Sequence, residues 1–230
     1  MRVWIWSTIA AILALSACKQ EAPSTAPSES PSAVAVPSNV TGSELHVLAF
    51  GDSLFAGYGL ANPDTQSYPA QLEQALRQDG RNVRIANAGV SGDTTAAGRQ
   101  RLAFTLDSQA AKPDLVLLEL GGNDLLRGLP PQQTRENLEA MLAELEKRGI
   151  PVVLMGLRAP PNNGGAFQQQ FDAIYPGLAK AKGAALVPFV TAKVFTDPKL
   201  IQADHVHPTA KGVGLLVDAT ADAIAKALPK

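Results

Sequence analysis

Four short stretches of the chain gather hydroxyl, carboxylate, imidazole and amide groups around glycines: "GDS" at 51–53, "NAGVSGDTT" at 87–95, "GGND" at 121–124 and "DHVHP" at 204–208. Taken singly, each has an ordinary explanation. Ser53 could cap a helix, Gly89 and Gly92 could serve turns with positive φ, and Asn123 with Asp124 could form an Asx-turn. His207 could be no more than the residue before a Pro208 that opens a helix. Taken together they supply a hydroxyl, a base, an acid and amide donors, a set that turn chemistry alone does not require.

That set is what acyl transfer needs. An alcohol is a weak nucleophile until a base takes its proton, and the tetrahedral oxyanion needs fixed donors. Ser53 can be the alcohol and His207 the base. Asp204 lies three residues before His207, so one loop can carry both, with the carboxylate holding the ring tautomer that leaves the other nitrogen free for Ser53. Two other histidines compete: His205 shares the loop, but Pro208 is a local reason to prefer His207, and His46 is expected buried in a strand at the end away from the site. A different chemistry, phosphoester hydrolysis at a metal held by "DHVH" with Asp52 or Asp93, is also compatible with these residue types. The acyl-transfer reading calls for neither metal nor cofactor.

The elements that must position these residues are legible from hydrophobic patterning. Apolar runs at 45–50, 82–87, 115–120, 151–156 and 184–189 are too continuous for strands with one wet face and read as buried parallel strands. Helical segments are expected near 68–79, 94–107, 132–148, 168–182 and 208–228. In the third, Leu138, Met141, Leu142 and Leu145 share a face, Thr134 is the expected N-cap and Gly149 closes the end. Five strands alternating with helices make a three-layer α/β/α domain around a mostly parallel sheet. Sites in such sheets open at the carboxyl ends of the strands, and the four stretches follow strands or precede the last helix. Ser53 is therefore expected both to cap a helix and to act as nucleophile, since a helix N-terminus sets backbone N–H groups beside it. The G-x-S-x-G elbow of the α/β-hydrolases is absent.

With 230 residues the chain suffices for one sizeable domain. Its net charge of −1 and lack of basic runs argue against a nucleic-acid partner. Cys18 is the one cysteine, so no intramolecular disulfide can form. It follows Arg2 and an uncharged apolar stretch too short to span a bilayer, which reads as a secretory signal over 1–17. The ending "LSAC" resembles the lipobox of bacterial lipoproteins, which implies cleavage before Cys18, its acylation and a periplasmic domain anchored to a membrane of the cell envelope. Residues 18–44, rich in Ser, Pro and Ala, read as a disordered linker, and 45–230 as the folded domain, expected to be a monomer.

"GDSL" at 51–54, "SGDT" at 91–94, "GGND" at 121–124 and "DHVHP" at 204–208 resemble, in order, the four blocks of the GDSL or SGNH hydrolases. The resemblance implies a flavodoxin-like fold, with Ser53 as nucleophile and Asp204 and His207 completing the triad. It implies an oxyanion hole from the backbone N–H groups of Ser53 and Gly92 and the side chain of Asn123. "LVLLELGGNDLLRGLPPQQT" and "FDAIYPGLAKAKGAALVPF" further resemble the bacterial thioesterase I, lysophospholipase and arylesterase branch, which implies an esterase or thioesterase acting on small acyl-ester or lipid substrates. Carbohydrate O-deacetylation within the family, and a catalytically inert ligand-binding lipoprotein, are the alternatives. Leu125, Leu126 and Leu129 follow "GGND" and either line an acyl groove or join the core, with Arg127 pointing outward.

Overall fold

The computed structural model describes residues 40–160, 164–190 and 192–230. In chain order they form β1 (Thr41–Gly51), α1 (Ser53–Ala56), α2 (Pro63–Gln66), α3 (Tyr68–Gln78) and β2 (Arg81–Gly89). Next come α4 (Thr95–Asp107), β3 (Leu115–Glu119), α5 (Gly122–Leu126), α6 (Pro131–Lys147) and β4 (Val152–Gly156). The chain ends with α7 (Gly165–Asp172), α8 (Ile174–Lys182), β5 (Ala185–Pro188), α9 (Ala192–Phe195) and α10 (Ala210–Ala227). Cys18 and nearly all of the expected linker lie outside the described residues.

The strands make one parallel sheet in the order β2-β1-β3-β4-β5. The chain moves from β1 to one neighbour, β2, and then returns past it to the other, β3. Right-handed crossovers consequently put α3 on one face and α4, α6 and α8 on the other. α10 packs beside α3, while α6 packs on α4 and α8, so both faces are covered. This is the flavodoxin-like order, whose crevice opens between β1 and β3 at their carboxyl ends.

Every residue of β3 is buried, as its unbroken apolar run requires, and Leu138, Met141, Leu142 and Leu145 turn the face of α6 into the core. The edge strands depart from the expectation of full burial. β2 alternates buried Val83 and Ile85 with exposed neighbours, and in β5 only Val187 is buried. β1 begins at Thr41, earlier than the apolar run, because its polar start still pairs with β2 through Thr41 and Arg81, and Asn82 Nδ2 donates to the Gly42 carbonyl at 2.8 Å.

Helix boundaries shift for identifiable reasons. The segment expected at 168–182 is two helices, since Pro176 has no N–H to offer the Asp172 carbonyl and α7 stops there. α6 starts at Pro131, a favoured first position, so Thr134 is not its cap. Thr134 lies buried inside the helix and its hydroxyl donates to Asp124 Oδ1 at 3.1 Å. Pro208 precedes α10, whose N-cap is Thr209, accepting from the Gly212 N–H at 3.2 Å.

Candidate active site

β1 delivers the chain to Gly51, where an added Cβ would lie 2.7 Å from the Phe55 side chain and 2.8 Å from the Glu119 carbonyl oxygen, so only glycine fits. The expectation that Ser53 caps the following helix is corrected. Asp52 is the N-cap of α1, its Oδ1 accepting the Leu54 N–H at 3.0 Å. A carboxylate is a stronger acceptor than a hydroxyl, and with Asp52 in that role the Ser53 Oγ is free to face the last loop. There it lies 2.8 Å from His207 Nε2.

That loop is held closed at its base. Ile201 and Pro208 form an antiparallel bridge, with Gln202 N–H donating to the His207 carbonyl at 2.7 Å and Thr209 N–H to the Leu200 carbonyl at 2.8 Å. Gln202 Nε2 donates to the carbonyls of Tyr58 and Pro208, 2.9 Å each, tying the histidine loop to the turn that follows α1. Inside the loop, Asp204 Oδ1 accepts the backbone N–H groups of Val206 and His207 at 3.0 Å, and Oδ2 lies 2.7 Å from His207 Nδ1. With the Nδ1 proton directed at Asp204, Nε2 is left to accept from Ser53. The Tyr58 ring lies against the imidazole, centroids 4.6 Å apart. His205 adopts a left-handed backbone, φ 60°, and is exposed, taking no part in this line. His46 is exposed, where burial was expected, because it lies just before the pairing of β1 with β3 begins at Val47, at the amino end of the sheet.

Partial desolvation pushes the Asp204 carboxyl up, but the His207 and Val206 amides, the imidazole hydrogen bond and its charge together bring it down to about 2 from 3.8. A depressed carboxyl contributes fully above its ordinary value and loses that contribution as pH falls through about 2. Asp204 thus stays ionised through mildly acidic conditions, and an acid limb in kcat/KM belongs to another group. Asp204→Ala should lower kcat by about 10²- to 10⁴-fold, less than loss of the serine or histidine, in steady-state hydrolysis of a p-nitrophenyl ester. An effect equal to that of His207→Ala would mean that no other acceptor can hold the ring.

The remaining residues follow from strand register. Gly51 pairs with Gly89 and with Glu119, so β1, β2 and β3 end side by side and the segments carrying Ser53, Gly92 and Asn123 start from adjacent points. Gly92 has φ +85°, a conformation that favours glycine. Among the described residues, neither its N–H nor that of Ser53 meets an acceptor. Two arginines hold the Gly92 turn: Arg101 pairs with Asp93 at 2.6 Å, donates to the Gly51 carbonyl at 3.0 Å and lies over the Phe50 ring, while exposed Arg127 donates to the Gly92 carbonyl at 2.8 Å. Asn123 Nδ2 donates to Asp52 Oδ2 at 3.0 Å. Asp124 is buried and structural, accepting from the N–H and hydroxyl of Thr95 and from Thr134, so that it joins α4, α5 and α6. Asp93 and Asp52 are thereby engaged by Arg101 and by amide donors, and among the described residues no three His, Cys, Asp or Glu side chains gather as a metal site would need.

All five residues expected at the site are thus on adjoining segments, with Asp204, His207 and Ser53 in hydrogen-bonded line. Sequence reasoning missed Gln202, Arg101 and the structural use of Asp124, each defined by partners far away in the chain. Of the three leucines, Leu126 is exposed, Leu125 packs against the core and Leu129 is half-buried.

Comparison with known proteins gives a consistent picture. Residues 49–215 match the GDSL-like Lipase/Acylhydrolase family. The arylesterase of Vibrio mimicus is 40% identical over 182 residues, 79% of this chain and 89% of that protein. The thioesterase 1/protease 1/lysophospholipase L1 of Escherichia coli is 37% identical over 172 residues, 75% of this chain and 79% of that protein. The crystal structure of AlinE4, a SGNH-hydrolase family esterase, has 61% identity and a TM-score of 0.68, covering 83% of this chain and 100% of that one.

Proposed function

The chain belongs to the GDSL-like lipase/acylhydrolase family and is an ester hydrolase, and from that premise we propose that Ser53 is its nucleophile, His207 its general base and Asp204 the group that orients the base. The observation that carries this reading is the line Asp204 Oδ2, His207 Nδ1, His207 Nε2, Ser53 Oγ, with links of 2.7 and 2.8 Å. His207 takes the hydroxyl proton as Ser53 Oγ attacks the acyl carbon. The oxyanion lies against the N–H groups of Ser53 and Gly92 and the Asn123 amide. His207 then passes its proton to the leaving alcohol or thiol, and a water activated the same way frees the acid and restores Ser53. Every group comes from one chain, so a monomer suffices.

The substrates we propose are aryl esters, acyl thioesters and lysophospholipids, the classes that the relatives' names print. Exposed apolar side chains on the site segments, Tyr58, Val90 and Leu126, support an acyl chain as the group accommodated. A fluorophosphonate probe should label the purified protein at Ser53 alone, as read by peptide mapping, and prior labelling should abolish ester hydrolysis. Labelling at another serine, or hydrolysis that survives full labelling of Ser53, would overturn the assignment.

We also propose that the protein is a lipoprotein of the bacterial cell envelope, acylated at Cys18 after removal of 1–17 and holding its catalytic domain in the periplasm. Support comes from the "LSAC" ending and the Ser/Pro/Ala-rich stretch behind it; stable anchoring needs more than one acyl chain. Cys18→Ser should move the protein from the membrane to the soluble fraction with hydrolysis unchanged. Tight membrane association of the processed, unlipidated variant would instead point to another binding surface.

A further inference from the structure

Glu119, the last residue of β3, is wholly buried beneath the nucleophile loop, and the mechanism above does not use it. Its Oε2 accepts the Asp52 N–H at 3.2 Å, and its Oε1 is buried with no partner among the described residues. Asp52 is 2% exposed. Neither carboxyl belongs to any of the ion pairs among the described residues, and two adjacent buried negative charges without a cation cannot both be maintained. One proton must stay with the pair.

The surroundings decide where it resides. Burial raises the Asp52 pKa, but both its oxygens accept N–H groups, Oδ1 from Leu54 and Oδ2 from Asn123, and these contacts oppose the rise by favouring the ionised form. Glu119 has one amide contact and an orphan oxygen, and burial, followed by the charge of Asp52, raises its pKa well above the ordinary carboxyl value. Burial, and after it the charges of Glu119, Asp124 and Asp52, raise the Tyr175 pKa well above its ordinary value, so the phenol stays neutral and brings no cation to this interior.

An amide nitrogen carries two hydrogens in one plane. Holding one on Asp52 fixes the plane of the Asn123 amide, and the second N–H has no acceptor among the described residues. A charged acceptor holds such a donor about twice as strongly as a neutral one, so the ionised state of Asp52 determines how firmly the amide is aimed.

We propose that Glu119 is a positioning residue for Asn123: it keeps a proton, donates it in a hydrogen bond to the Asp52 carboxylate, and so leaves Asp52 charged to anchor one N–H of the Asn123 amide while the other serves the oxyanion. This rests on the reading of Asn123 as an oxyanion donor. The Glu119 proton is not transferred during turnover; it is a fixed part of the site.

The test compares Glu119→Gln, Glu119→Met and Asn123→Ala in the full domain, with kcat and KM measured on a p-nitrophenyl ester. Gln can accept from the Asp52 N–H and donate to its carboxylate, as a protonated Glu does, and should hold kcat within a few-fold of wild type. Met fills similar space without a donor and should lower kcat by about tenfold or more, the scale of one charge-assisted hydrogen bond, with KM little changed. Infrared spectra of wild type should contain the carbonyl band of a buried carboxylic acid, shifted in D₂O and absent from Glu119→Gln. If Asn123→Ala is slow while Glu119→Met turns over normally, the positioning role fails and the oxyanion reading stands. If Asn123→Ala is itself unimpaired, it is the oxyanion reading that fails. Glu119→Gln as slow as Glu119→Met, or a wild-type spectrum without the acid band, would overturn the proton assignment. The Gln variant and the spectrum decide the matter even if the Met variant does not fold.

Discussion

Ser53→Ala and His207→Ala should each lower kcat by about 10⁶-fold, and the double variant should lose little more than either alone. The reason is geometric. Ser53 Oγ and His207 Nε2 are 2.8 Å apart and His207 Nδ1 is held by Asp204, so without the hydroxyl the base has no proton to take, and without the base the hydroxyl stays a poor nucleophile. Both variants should fold. Among the described residues the Ser53 side chain makes no hydrogen bond other than that to His207, and the loop around His207 is closed by backbone contacts, by Gln202 and by the Asp204 carboxylate. Thermal unfolding and steady-state kinetics on protein free of host esterases check the two halves of this expectation. Normal turnover in Ser53→Ala would exclude an acyl-enzyme on that residue, and additive losses in the double variant would mean that the two side chains act in separate steps.

Much of this site could be read from the sequence because its informative residues are local. "GDS", "SGD", "GGND" and "DHVHP" each sit at a strand end or before a helix, and apolar runs of strand length mark those ends without knowledge of the fold. The Asp204–His207 contact spans only three residues, and its spacing was sufficient to suggest it. What stayed hidden depends on which of two neighbours a local geometry prefers, or on distant partners. Asp52 and Ser53 can both cap a helix, and nothing in their order says that the carboxylate takes the role. Thr134 looks like a cap until Pro130 and Pro131 are seen to start the helix and Asp124 to draw the hydroxyl inward. Arg101, Gln202 and Glu119 meet partners 50, 144 and 67 residues away, through a strand order that periodicity does not encode. Pro176 is a different case, since its missing N–H breaks the segment at 168–182 for a reason visible in the sequence itself.

Asn123→Ala should slow the chemical step by about 10²- to 10³-fold, about 2.7–4 kcal/mol of lost transition-state stabilisation, while KM changes only a few-fold. Gly121, with φ +121°, and Gly122 bring the backbone round at the end of β3 so that Asn123, the second residue of α5, reaches Asp52, the residue before Ser53. In the proposed mechanism the amide stands where charge appears on the substrate oxygen, and its benefit is realised mainly when that oxygen is negative, so kcat falls and ground-state affinity does not. The variant also removes a donor from a buried carboxylate. The expected stability loss is about 1–3 kcal/mol, which a thermal unfolding curve separates from the kinetic effect. Asn123→Asp sharpens the test: it keeps the shape but sets a carboxylate against both Asp52 and the developing oxyanion, and should be at least as slow as alanine. Fluorophosphonate inactivation passes through a similarly charged transition state at phosphorus, so its rate should fall in both variants. If Asn123→Ala raises KM with kcat intact, the amide is a ground-state contact, and the oxyanion must then be held by the Ser53 and Gly92 backbone N–H groups without it.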